Sequence, residues 1–168
     1  MKRILSIFVL FIFLWGTGLI QLSHAQVFNM ENPLIGTEAA DFTLSSIKSG
    51  KVNFTKIREG KSAILFFWAT WCPHCRRELG ELSEQAAQIE KKGIKIILID
   101  IGETTKQVSS YLQKQNINFD VILDENQSLS EKYGLVGVPT LFFVNKNGKI
   151  KAVEYSFPEN YEEILSRE

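Results

Sequence analysis

The apolar positions along the chain fall into blocks of different spacing, and the spacing assigns each block to an element. Ala63 to Trp68 is a short apolar run rich in strand-forming residues, which reads as a buried strand. After it, apolar residues at Cys75, Leu79, Leu82, Ala86 and Ile89 are spaced four, three, four and three apart. That is one face of an amphipathic helix, stopped by Gly93 with Lys91 and Lys92 in its last turn. Ile94 to Ile101 is almost continuously apolar apart from Lys95 and Asp100, as a strand covered on both faces requires. Thr104 to Gln115 carries Val108, Tyr111 and Leu112 on one helical face, Val121 to Leu123 reads as a short strand, and Ser128 to Tyr133 as a short helix. Thr140–Val144 and Lys149–Val153 flank Asn145-Lys146-Asn147-Gly148, a hairpin signal. Asp41–Leu44 and Lys51–Phe54 alternate around Ser49-Gly50 as a second hairpin, residues 26–40 read as an extended lead-in, and a helix from Pro158 to Ser166 closes the chain. Strands alternating with helices and ending in a hairpin predict an α/β domain, a central mixed sheet flanked by helices.

The first block is different. Met1-Lys2-Arg3 precedes an uncharged, mostly apolar run from Ile4 to Ile20, then Ser23-His24-Ala25 with small residues where a cleavage site needs them. This is the layout of a secretory signal peptide over residues 1–25, with an uncleaved membrane anchor as the alternative. Either way the domain at 26–168 is delivered across a membrane, to an extracytoplasmic or periplasmic space where a disulfide persists. Residues 1–25 hold two of the 19 basic side chains and none of the 19 acidic ones, so the remainder carries 17 against 19. That near-balance, with no Lys/Arg cluster, argues against nucleic acid as a partner. No repeat or low-complexity linker divides the remainder, which has the length of one domain with a real core and is expected to be a monomer.

The candidate chemistry sits where the first buried strand turns into its helix, at Trp71-Cys72-Pro73-His74-Cys75. Cys72 falls at or near the N-cap, and Pro73 takes a first-turn position where its missing N–H costs nothing. Unpaired backbone N–H groups and the positive end of the helix dipole favour a Cys72 thiolate. Cys75, one turn deeper, is close enough to close a disulfide, so the two read as a redox pair. A structural zinc site needs about four ligands, and the chain has two cysteines and two histidines, one of them His24 in the leader. A static staple across so short a loop gains little chain-entropy stabilisation. A Cys–His hydrolase needs a distant histidine, and none is available. The scheme calls for no organic cofactor and no metal.

Trp68-Ala69-Thr70-Trp71-Cys72-Pro73-His74-Cys75-Arg76 resembles the active-site segment of the thioredoxin superfamily. With Gly36–Leu44, the Trp-Cys-x-x-Cys-Arg-x-Glu run ending at Glu78, and Gly137-Val138-Pro139-Thr140, the likeness covers roughly residues 34–155. It is to the extracytoplasmic TlpA/ResA-type thiol–disulfide oxidoreductases, which add an N-terminal β-hairpin and a helix–strand insert, here about Glu103 to Glu125. Peroxiredoxins share part of the outline but lack this cysteine pair.

The resemblance implies further roles. Pro139 would be a cis-proline facing the cysteines, leaving Val138 backbone groups outward to pair with an extended substrate; the bland reading is a proline opening a strand. Glu103 matches a glutamate that lies near the cysteines and assists proton transfer, as a base for Cys75; thioredoxins place an aspartate where this chain has Phe66. The ordinary reading of Glu103 is an acid favoured at a helix start. His74, if protonated, would stabilise the Cys72 thiolate, or would be a solvated first-turn residue. Trp68 and Trp71 would pack around the site, Trp71 as a contact for partners. Gly80 stands where relatives often carry a helix-bending proline. The body of the chain resembles reductases of protein disulfides, fed electrons by a membrane redox partner, with apocytochromes as one substrate class. Pro73-His74 is the dipeptide of DsbA, an oxidant, which is the alternative direction. A metal-handling binding protein using both thiolates is the remaining alternative.

Overall fold

The computed structural model describes residues 32–167; the signal-peptide reading of residues 1–25 lies outside them. Among the described residues no helix is long and apolar enough to cross a membrane. In chain order the elements are β1 (Thr43–Ser46), β2 (Gly50–Asn53), α1 (Phe54–Arg58), β3 (Ser62–Trp68), α2 (Pro73–Lys91) and β4 (Ile94–Ile101). Then follow α3 (Thr105–Gln115), β5 (Val121–Asp124), α4 (Ser128–Lys132), β6 (Thr140–Val144), β7 (Ile150–Glu154) and α5 (Tyr161–Ser166).

The strands form one mixed sheet in the order β2-β1-β5-β4-β3-β6-β7. Its centre is parallel: β4 lies between β3 and β5, with Phe66 opposite Leu98 and Trp68 opposite Asp100. Antiparallel strands complete both sides, β6 and β7 on one and the β1–β2 hairpin on the other. The unbroken apolar run of β3 is explained by its neighbours on both faces. Ile64, Phe66 and Trp68 pack with Leu79 and Leu82 of α2 and Leu112 of α3. Ala63, Leu65 and Phe67 pack on the other face with Phe54 of α1 and Leu129 of α4. β6 divides the same way, Leu141 and Phe143 on the α2 face, Phe142 and Val144 opposite. Truncating any of these phenylalanines to alanine is expected to cost roughly 3–5 kcal/mol.

The N-terminal hairpin is present, with β1 two residues later and β2 one residue earlier than expected, and Gly50 at φ +71° opposite Ser46. Only glycine takes that backbone conformation without strain, so it pins the turn. The hairpin joins the sheet through β1 and β5, and Asp120 fastens it by accepting from Ser46 Oγ at 3.0 Å and Ser49 Oγ at 2.6 Å. The insert and the hairpin therefore form one side of the sheet together. Helix α1 was not signalled by apolar spacing. It is set by Asn53, whose side chain accepts the Lys56 N–H at 3.1 Å, and by Phe54, which stacks on Phe42 with ring centroids 5.2 Å apart. The terminal helix starts at Tyr161 rather than Pro158.

Candidate active site

The C-terminal end of β3 delivers the chain to the N-terminus of α2, and Cys72 is the N-cap. Its backbone is extended, φ −88° and ψ 111°, and Pro73 opens the helix. Cys72 and Cys75 form a disulfide with their Cα atoms 5.3 Å apart. The Cys75 N–H donates to Cys72 Sγ at 3.1 Å, so an orphan donor of the first turn points at this sulfur. The same N–H faces a thiolate once the disulfide is reduced. Cys75 is fully enclosed, whereas Cys72 keeps 4% of its surface exposed. An incoming sulfur meets Cys72 first.

Val138 and Pro139 lie across from this sulfur. The Val138–Pro139 bond is cis, and the Val138 carbonyl oxygen is 3.7 Å from Cys72 Sγ. Pro139 is buried and opens β6, while Thr140 Oγ1 donates back to the Gly137 carbonyl at 2.8 Å. The two tryptophans part company: Trp68 is buried with its ring 5.8 Å from that of Tyr111, and Trp71 is 64% exposed beside Cys72. Trp71 is the wide apolar surface at the mouth of the site.

Glu103 reaches the site from the β4–α3 loop. Gly102, at φ +76°, lets the chain turn there, and a Cβ on it would come within 2.9 Å of the Gln127 side chain. Both Glu103 oxygens are engaged by Thr70: Oε2 accepts the Thr70 N–H at 2.5 Å and Oε1 accepts the Thr70 hydroxyl at 2.6 Å. The carboxylate thus grips the segment leading into Cys72, at Thr70. The helix-start role expected as its ordinary reading belongs instead to Thr104, which makes a capping box with Gln107.

Three further buried carboxyl groups, to which the sequence reading gave no role, lie on β4, β5 and α2. Asp100, at the end of β4, is fully buried; its Oδ1 accepts the Glu103 N–H at 3.2 Å, and its Oδ2 has no hydrogen-bond partner among the described residues. Burial first, then the neighbouring Glu103 carboxyl, push the Asp100 carboxyl up to about 8. Asp124, at the end of β5, is buried too, but accepts from Leu129 N–H, Ser130 N–H and Ser130 Oγ. A carboxylate interrupting an apolar strand was the available signal for Asp100. Glu78, buried on α2 one turn beyond Cys75, accepts the Phe157 N–H at 2.7 Å and ties α2 to the segment after β7. Its position on the helix face otherwise filled by Leu79 and Leu82 was visible in the spacing.

His74 lies in the first turn of α2 and is exposed, with Nδ1 3.2 Å from the Arg77 guanidinium. A guanidinium only donates, so Nδ1 accepts in this arrangement. Phe66 occupies the buried strand position noted above. Helix α2 runs unbroken through Gly80. Among the described residues there is no cluster of three or more His, Cys, Asp or Glu side chains placed to hold a metal ion.

Comparison with known proteins agrees with this geometry. Residues 35–153 match the AhpC/TSA family model. Thiol-disulfide oxidoreductase ResA of Bacillus anthracis is 30% identical over 167 residues, covering 98% of this chain and 95% of the relative. ResA of Geobacillus thermodenitrificans is 32% identical over 119 residues, 71% of this chain and 68% of its own. Among solved structures, a DsbE-type thiol:disulfide interchange protein of Chlorobium tepidum superposes with a TM-score of 0.70 at 27% identity, covering 78% of this chain and 94% of that one. StoA of Bacillus subtilis superposes with a TM-score of 0.63 at 22% identity, covering 79% and 97%, a likeness of fold. With a Cys-x-x-Cys disulfide at a helix N-terminus, facing a cis-proline in a thioredoxin-like sheet, the chain belongs to the AhpC/TSA family and, within it, to the ResA-type thiol–disulfide oxidoreductases.

Proposed function

We propose that this protein reduces disulfides of protein substrates outside the cytoplasm, using Cys72 and Cys75 as its only redox groups. The observation that carries the reading is the Cys72–Cys75 disulfide at the α2 N-terminus, with Cys72 Sγ beside the Val138 carbonyl. In the reducing direction, a substrate chain lies extended along Val138 and against Trp71, bringing its disulfide to Cys72. The Cys72 thiolate attacks one substrate sulfur, the other leaves as a thiolate, and a mixed disulfide remains. Cys75, losing its proton, attacks Cys72 Sγ; the second substrate sulfur leaves, and Cys72–Cys75 closes. Two electrons pass to the substrate. A dithiol donor at the membrane then restores the pair by the same exchange in reverse.

Glu103 assists the loss of the Cys75 proton, acting from its position on Thr70. Residues 1–25 serve as the export signal or anchor, and the domain works as a monomer. Apocytochromes held reduced for haem attachment fit as substrates.

The oxidising direction is the second reading, favoured by Pro73 and by the N–H that faces Cys72 Sγ. A stabilised thiolate makes the reduced form stable and the disulfide oxidising. Equilibration with glutathione at defined ratios separates the two. A reductase is expected between the roughly −270 mV of thioredoxin and about −180 mV, and a value near the roughly −120 mV of DsbA makes the protein an oxidant.

A further inference from the structure

We propose that Asp100 is a positioning residue for the exchange reaction: its carboxyl carries a proton shared with the Glu103 carboxylate, and this proton keeps Glu103 bound to Thr70, two residues ahead of Cys72. The inference rests on the redox reading of the cysteine pair and adds to it a residue outside the Cys-x-x-Cys motif.

The geometry requires a proton. Asp100 and Glu103 are both buried and joined by the Glu103 N–H on Asp100 Oδ1, which brings two carboxyl groups together, and two ionised carboxylates can only accept. Glu103 has both oxygens accepting from Thr70 donors, so its carboxylate is used as an anion. Asp100 has one oxygen accepting from the Glu103 N–H, while its Oδ2 has no hydrogen-bond partner that an ionised group could use. An unpartnered carboxylate oxygen inside a fully buried residue is costly; a hydroxyl there, turned to Glu103, is satisfied. The proton therefore belongs on Asp100 and the charge on Glu103, which is itself only 5% exposed.

The other groups around Asp100 do not supply the missing charge. Asp124 faces it from β5 and adds a further carboxyl. β3 presents Trp68 at the paired register position, and its indole nitrogen is likewise without a partner among the described residues. Ion pairs among the described residues engage Glu59, Glu78, Glu162 and Glu163. Two like charges this close in a buried setting do not both persist, so raising the pH removes the shared proton and sets Asp100 against Glu103. The grip on Thr70 then loosens, and with it the segment that presents Cys72.

The test is a titration of the oxidised full-length protein by NMR, following the Asp100 carboxyl carbon and the Thr70 amide between pH 4 and 10. Both are expected to move with one midpoint near 8. In Asp100→Asn the amide nitrogen supplies a permanent donor to Glu103, so the Thr70 transition disappears while Thr70 stays in place. In Glu103→Gln the Asp100 midpoint falls by at least about one pH unit, because the like charge is gone. An Asp100 carboxyl that titrates below pH 5, a Thr70 transition that survives in Asp100→Asn, or an Asp100 midpoint unmoved in Glu103→Gln overturns the proposal. The titration needs no turnover: a protein that titrates as described yet exchanges no disulfide sinks the redox reading and leaves the shared proton standing.

Discussion

Two strand-to-helix junctions lie side by side at one end of the sheet, β3 into α2 and β4 into α3. Both strands are buried and parallel, and both helices are closed at the N-terminus by a side chain that accepts a first-turn N–H. At the first junction the cap is a sulfur, Cys72, and the helix dipole acts on a redox atom. At the second the cap is the Thr104 hydroxyl, an ordinary structural device, and the chemistry sits just ahead of it in Asp100 and Glu103. The same architecture thus carries the redox pair at one junction and, on the proposed reading, proton control at the other, with Thr70 bonded across to Glu103. A helix start is a general platform, and the residue placed on it decides what it does.

The division of labour can be broken most severely at the first junction. Cys72→Ser is expected to lower disulfide-exchange activity by at least about a thousandfold, because no other sulfur can make the first attack. Assayed on insulin, a residual rate within tenfold of the wild type would remove Cys72 from its role. Glu103→Gln strikes the link. Resolution of the mixed disulfide, followed by stopped flow, should slow by about a hundredfold or more, the lower end of what a positioned proton acceptor contributes. An unchanged rate would leave Glu103 with only its structural hold on Thr70.

Asp100 sharpens the comparison through pH. Its folded-state carboxyl is raised to about 8, so the folded protein holds a proton that the unfolded chain, near 3.8, has released. Stability from this group is complete below about pH 4 and declines as pH rises to about 8, by at most about 1.4 kcal/mol per unit. Urea denaturation at pH 5 and pH 8 should show the wild type weaker at pH 8 and Asp100→Asn much less affected. Equal slopes in the two proteins would contradict this. The smallest effect is expected away from both junctions. A Cβ on Gly80 would touch nothing within 4 Å, so Gly80→Ala should raise stability by roughly 0.5–1 kcal/mol with unchanged exchange kinetics. Altered kinetics would extend the active junction further along α2 than the geometry suggests.

What was legible in the sequence follows from how local each signal is. The β3–α2 junction is written in consecutive residues: an apolar run, Cys-Pro-His-Cys, then a helical stripe, so its elements and its N-cap could be read directly. β4 and β6 were equally plain, because strands buried on both faces are nearly continuous apolar blocks. The short α1 escaped because one turn held by Asn53 and Phe54 has no periodicity to detect. Pro139 could be matched by motif, but its approach to Cys72 depends on β6 pairing with β3. Asp100 was hardest. It looked like an interruption in a strand, and its protonation depends on Glu103, Asp124 and Thr70, which only the folded sheet brings to it.

The most direct measurement of the central claim, that Cys72 is the attacking sulfur and Cys75 the resolving one, is trapping of the mixed disulfide. Cys75→Ser protein, reduced and mixed with insulin, is expected to accumulate a covalent adduct at Cys72 that dithiothreitol releases, while Cys72→Ser accumulates little, its remaining sulfur being fully enclosed. Peptide mapping by mass spectrometry locates the bond. Adducts forming as readily on Cys75 of the Cys72→Ser protein, or on neither variant, would contradict the assignment.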